Sequence, residues 1–206
     1  VMEDLAPRSQ GDQIGGCSFD EAALALSQAA KLHSAFWRKK ELSELAWLSR
    51  RTPEQVEQTI ALMDLLQPAF VDRYRSDLTA EALDLSNRFA SDASHWFDGL
   101  PRPVSLAHGD FRLDNLMFAD PDTSILPKLV VVDWQTITHS HGAHDVAYFV
   151  GSAFEPELRR VHEEQLVSNY HEELVGADGT ALLSFDEFWD AYRRFTWSGS
   201  VSFTHL

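Results

Sequence analysis

The chain has 206 residues, 44% hydrophobic and 24% charged, which excludes a disordered segment and allows roughly 70% of the unfolded surface to be buried. Its 32 acids against 17 bases give a formal charge of −15, a surface that repels phosphate backbones and anionic lipid, so neither nucleic acid nor membrane is an expected partner. It has no apolar run of about 18 residues and no signal-peptide pattern, and the single Cys17 cannot form an internal disulfide, which fits a reducing, cytoplasmic compartment.

Ser18 and Glu21 form a capping box ahead of an apolar-periodic run (Ala22, Leu26, Ala29, Ala30, His33, Phe36), which predicts a helix. Pro53 opens a second, carried by Val56, Ile60, Met63 and Leu66. A third is expected over 79–96, with Ala82, Leu85, Phe89 and Ala93 on one face, and the Gly99 to Pro103 stretch ends it. Three short strands follow: Val104 to Ala107, Leu116 to Phe118, and Leu129 to Val132. Pro121, Asp122 and Pro127 separate the last two in the manner of a hairpin. Helix resumes from Gly142, and a second capping box, Ser184 with Glu187, opens a segment bearing Phe188, Trp189, Tyr192 and Phe195. The fold class is therefore α+β, mainly α.

Two patterns invite chemistry that their context does not support. Gly11-x-x-x-Gly15-Gly16 has no strand leading in and no Lys-Ser/Thr following, so it is not a phosphate loop. His139, His141 and His144 lack the spacing of a structural zinc site, and are expected to be exposed loop histidines.

The stretch HGDFRLDN, residues 108 to 115, is more specific. Between two strands, His108-x-Asp110-x-x-x-x-Asn115 has the spacing of a phosphotransferase catalytic loop. A carboxylate must accept or orient the proton of the attacking hydroxyl, and an amide oxygen nearby must help hold Mg²⁺. A second metal-binding carboxylate is then needed at the end of the next strand. Asp133 closes the apolar run Val130-Val131-Val132, 18 residues after Asn115. The competing reading makes Asp110 and Asn115 turn formers and Asp133 a cap.

At these residues the chain resembles the aminoglycoside phosphotransferase and choline kinase family, relatives of the protein kinases, through HGD-x-RLDN and VDWQ. The resemblance implies a protein-kinase-like C-terminal lobe, with a small β-hairpin carrying the catalytic loop. Residues 1–10 would be the interlobe hinge and 11–206 the helical lobe. The chain would be a piece of a longer one, cut at both ends and inactive alone, whose N-terminal lobe holds the missing glycine-rich loop and lysine. By the same likeness Asp110 is the catalytic base, Arg112 neutralises charge at the γ-phosphate, and Asn115 and Asp133 hold Mg²⁺. Glu3 and Leu5 would meet the adenine edge through their backbones, over an apolar floor of Met117 and Val132. His108 and Asp145 would support the loop, Asp145 as a buried acceptor of its N–H groups.

The implied activity is transfer of the γ-phosphoryl group of ATP, with Mg²⁺, to a hydroxyl of a small molecule. The negative surface would suit an amine-bearing acceptor such as an aminoglycoside or choline. Besides this substrate, the expected partners are the chain's own N-terminal lobe and a second copy in a homodimer. The alternatives are a nucleotide-binding or scaffold protein of the same fold without turnover, and a metal-dependent hydrolase.

Overall fold

The computed structural model describes residues 3–199. In chain order, β1 (Ser9–Gln10) precedes five helices: α1 (Phe19–Ala35), α2 (Glu41–Glu44), α3 (Pro53–Tyr74), α4 (Ala80–Ser91) and α5 (Ala93–Asp98). Four strands follow, β2 (Ser105–Ala107), β3 (Leu116–Phe118), β4 (Leu129–Val131) and β5 (Thr138–Ser140). The helices α6 (Ala143–Ser152), α7 (Pro156–Glu173) and α8 (Phe185–Phe195) complete the order.

Both expected capping boxes form. The Ser18 hydroxyl accepts from the Glu21 N–H at 3.2 Å while the Glu21 carboxylate accepts from the Ser18 N–H at 2.8 Å, and Ser184 and Glu187 do the same at the start of α8. A third box, Thr52 with Gln55, starts α3 beside Pro53. Along α1 the buried face consists of Ala22, Ala25, Leu26, Ala29, Ala30 and His33. Four small alanines let α7 approach closely, and its Leu166, Val167 and Tyr170 are buried in turn. These residues join α6 and α8 in one core that also takes Phe111 and Leu113 from the HGDFRLDN segment and Leu116 and Leu129 from the strands. The helix expected over 79–96 divides at Asp92, whose φ of −103° and ψ of 10° leave the helical region. The division turns Phe89 and Ala93 onto Met63 of α3, forming a small separate cluster. No helix among the described residues is long and apolar enough to cross a membrane.

The strands form two sheets. β1, β3 and β4 pair antiparallel in the order β1-β3-β4, with Gln10 opposite Met117 and Met117 opposite Val130. β2 and β5 form the other, with Leu106 opposite His139 and Ala107 opposite Thr138. Residues 108 to 115 therefore cross from one sheet to the other and are not carried by a single hairpin; β3 and β4 make the hairpin after them. Of the expected hinge, Val1 and Met2 lie outside the described residues. Arg8 donates to the Pro127 carbonyl at 2.9 and 3.2 Å, and Ser9 and Gln10 are already sheet.

The three histidines correct the expectation of exposed loop residues. His139 is half-buried in β5. His141 is 6% exposed, stacked between Phe188 and Phe195 with Trp37 at its edge. Burial above all pushes its imidazole down to about 4. A neutral ring is what an aromatic cluster can hold without a charge partner, and its Nδ1 accepts the Ala143 N–H at 3.1 Å.

Candidate active site

The HGDFRLDN loop is built around one buried carboxylate. Asp145, in the first turn of α6, is wholly buried and accepts the His108 N–H at 2.7 Å and the Gly109 N–H at 3.0 Å. His33 Nε2 lies 3.2 Å from its Oδ2, and His33 Nδ1 is 2.7 Å from the Tyr170 hydroxyl. One tautomer satisfies both contacts: Nε2–H donates to the carboxylate and Nδ1 accepts from the tyrosine. His144 Nδ1 stands 3.6 Å from Oδ1, an ion-pair distance longer than a hydrogen bond. Burial alone would push the Asp145 carboxyl up; the His144 and His33 imidazoles, beside the two loop N–H groups, outweigh it and hold it well below the carboxylate range. Gly142 permits this packing, since a Cβ there would lie 2.6 Å from the Tyr170 hydroxyl and 2.7 Å from His33 Nδ1.

His108 is the second support. Its Nδ1 accepts the Asp110 N–H at 3.3 Å, so Nε2 carries the proton and donates to the Val132 carbonyl at 2.9 Å. The Trp134 ring packs edge-on at 4.9 Å. The imidazole thus ties the loop to the residue before Asp133. Gly109 has φ +86°, and a Cβ would lie 2.3 Å from the Thr136 carbonyl oxygen. Only glycine fits between the loop and that backbone.

Asp110 and Asn115 come together. The Asn115 amide donates to the Asp110 carbonyl at 2.8 Å and to its Oδ2 at 3.0 Å, and the Asn115 carbonyl accepts the Val132 N–H at 2.9 Å. With Nδ2 committed to Asp110, the Asn115 amide oxygen is the group left for a cation. Arg112 Nε is 3.3 Å from Asp110 Oδ2 and Nη1 is 3.4 Å from Asp114. The guanidinium bridges two carboxylates here. Asp133 ends the apolar run exposed, in the left-handed region at φ 60° and ψ 63°, its Oδ2 accepting from Gln135 at 3.3 Å.

Leu116 and Leu129 face the core while Met117 and Val130 are half-buried on the opposite face of the hairpin, with half-buried Val132 continuing the alternation. Glu3 is exposed, and Leu5 is half-buried with its carbonyl accepting the Arg8 N–H at 3.0 Å. Among the described residues no three His, Cys, Asp or Glu side chains are grouped to hold a metal ion. One carboxylate and one amide oxygen suit Mg²⁺, which takes few protein ligands and completes its shell with phosphates and water.

Several contributors escaped the sequence reading. Gln13 accepts the Leu113 N–H at 2.9 Å and donates to the Ser152 carbonyl at 2.6 Å, and Gln10 donates to the Asp114 carbonyl at 2.6 Å. The glycine-bearing segment before α1 therefore braces the loop from outside. Tyr148 on α6 faces Asp110: burial, and then the Asp110 charge, push its hydroxyl above the ordinary phenol value. For Gln13 no sequence signal was present; for Tyr148 and His33, a polar group inside an otherwise apolar helical face was the available sign.

By sequence, no curated protein matches the chain. Among solved structures it is similar to an aminoglycoside 2′-phosphotransferase-IIIa variant in complex with GDP, at 19% identity and a TM-score of 0.53, covering 94% of this chain and 59% of that one. It is also similar to choline kinase from Cryptosporidium parvum, at 11% identity and 0.55, covering 98% and 61%. The chain spans about three fifths of each, and both likenesses concern the fold. A model of the ecdysteroid kinase-like family matches residues 1–179. The chain belongs to the ecdysteroid kinase-like family.

Proposed function

We propose that the protein is an ATP- and Mg²⁺-dependent small-molecule kinase that transfers the γ-phosphoryl group to an acceptor hydroxyl. Its family and the fold it shares with small-molecule phosphotransferases support phosphotransfer in general. One observation carries the finer reading: the Asn115 amide holds the Asp110 carboxylate at 3.0 Å on a loop whose backbone is anchored to Asp145. That arrangement fixes one carboxylate oxygen and leaves the other to take the proton of a hydroxyl placed against it. Mg²⁺ held by Asn115 and Asp133 would supply charge neutralisation at the phosphates. Arg112, released from Asp110, would add its own charge where negative charge develops. Met117 and Val132 offer apolar surface for a base, and the Glu3 and Leu5 backbone its edge.

The net charge of −15 is the one observation that favours an amine-bearing acceptor. Titration of the full-length protein with Mg·ATP tests the metal assignment. Asp133→Ala is expected to abolish Mg²⁺-dependent ATP binding and Asn115→Ala to weaken it less. Equal Mg·ATP affinity in the parent and Asp133→Ala would remove Asp133 from the site.

A further inference from the structure

A cleft of about 980 Å³ lies between α3 and α5 on one side and β5 on the other. That is within the usual size of small-molecule sites. Val56, Ile60, Phe97, Leu100 and Phe195 give it an apolar lining. Its charge differs from that of the protein as a whole. Arg50, Arg51 and Arg102 line it with His139, against two acids, Glu57 and Asp98.

Acids outnumber bases 32 to 17 in this chain, yet among the described residues none of the three arginines has a carboxylate within 4.0 Å. Arg50 is pinned by donating to the Leu42 and Leu45 carbonyls at 3.2 Å each, and its Nε is buried without a partner. The Arg51 guanidinium lies 5.0 Å over the Phe97 ring. Arg102 is exposed on the rim. Burial, and then the charge of Arg50, lower the basicity of His139, so the positive wall belongs to the arginines.

We propose that this cleft is a binding site for an organic anion: a carboxylate, sulfate or phosphate group carried on an apolar body. Planar guanidinium forks match such groups in geometry and charge, and the apolar lining takes the body. An ammonium-bearing molecule would meet like charge there. The site also adjoins the catalytic loop. Its β5 wall pairs with β2, which runs directly into His108, and His144, which lines it, is 3.6 Å from Asp145. The anion is either the acceptor of the proposed reaction or an effector; its binding does not depend on that reaction.

Calorimetric titration of the full-length protein with 4-hydroxyphenylacetate and with tyramine, a matched pair differing in the sign of charge, tests the site. The anion is expected to bind and tyramine not to. Arg51→Gln and Arg102→Gln, both at exposed positions, are each expected to weaken the anion about tenfold while leaving Mg·ATP affinity unchanged. Arg51→Lys and Arg102→Lys, which keep the charge but lose the fork, are each expected to weaken the anion less than the Gln variants do. With Mg·ATP present, phosphorylation of the bound anion marks an acceptor and recovery unchanged marks an effector; either keeps the site. Equal binding of tyramine, no binding of the anion, or anion affinity indifferent to both Gln variants overturns it. Loss of Mg·ATP binding by the parent protein would count against the kinase reading alone.

Discussion

Asp145→Ala removes the acceptor shared by the His108 N–H at 2.7 Å, the Gly109 N–H at 3.0 Å and His33 Nε2 at 3.2 Å, at a position with no exposure. Each buried donor left unpaired costs about 1–3 kcal/mol. Because the three share one carboxylate, the penalties do not add independently, and the loss of one partner of a buried charged network is worth about 3–5 kcal/mol in all. That is a large share of the about 5–15 kcal/mol that holds a domain together. Asp145→Asn keeps the shape and one acceptor oxygen but turns an NH₂ toward a donor, so it should fall between the parent and Asp145→Ala. Urea unfolding followed by fluorescence of the six tryptophans reads both variants. The folded carboxyl is held below its ordinary value near 4, so its contribution is fully present above about pH 4 and is lost as the pH falls below it. The acid limb of the stability profile should therefore flatten in Asp145→Asn. A stability loss under about 1 kcal/mol for Asp145→Ala, or an unchanged acid limb in Asp145→Asn, would refute the anchoring role.

Two further predictions use the same measurement. Gly109→Ala forces a side chain into φ +86° and against the Thr136 carbonyl, so it should cost about 3 kcal/mol or more and abolish turnover; near-parent stability would show that the loop can move aside. His141, lowered to about 4 when folded against about 6.5 unfolded, stays neutral where the unfolded chain takes up a proton. Stability should thus be full above about pH 6.5 and fall as the pH drops toward 4, by about 3 kcal/mol. In His141→Gln that loss should disappear, and its persistence would place the titration elsewhere.

The meeting of Asp110 and Asn115 was legible because its logic is local. Asp110, Asn115 and Asp133, two residues past β4, lie within a short stretch, and the spacing of the first two reflects how a carboxylate and an amide reach one another: Asn115 does meet Asp110 at 3.0 Å. The long helices were legible for the same reason, through reciprocal caps at Ser18 and Ser184. Asp145 and His108 were expected as supports through the family resemblance, and Asp145 does accept the loop N–H groups; the partners that hold them were not legible. His33 and Asp145 are 112 positions apart, and Gln13 and Leu113 are 100 apart. His33 reads as one more member of an apolar stripe until α7 and α6 close over it. β1 and β5 are too short to show alternation, and they exist because Met117 and Leu106 present open edges to Gln10 and His139. The histidines after β5 were misjudged because their polarity is visible in the sequence, whereas the aromatic pocket that buries His141 is assembled from α8 and Trp37.

The most direct measurement is single-turnover phosphoryl transfer from Mg·ATP by full-length Asp110→Asn, with nucleotide affinity determined in parallel. The account predicts a fall in the transfer rate of about 10²–10⁴, the usual worth of a general base, with nearly unchanged Mg·ATP affinity. Full turnover in the variant, or lost nucleotide binding with turnover intact, would contradict it.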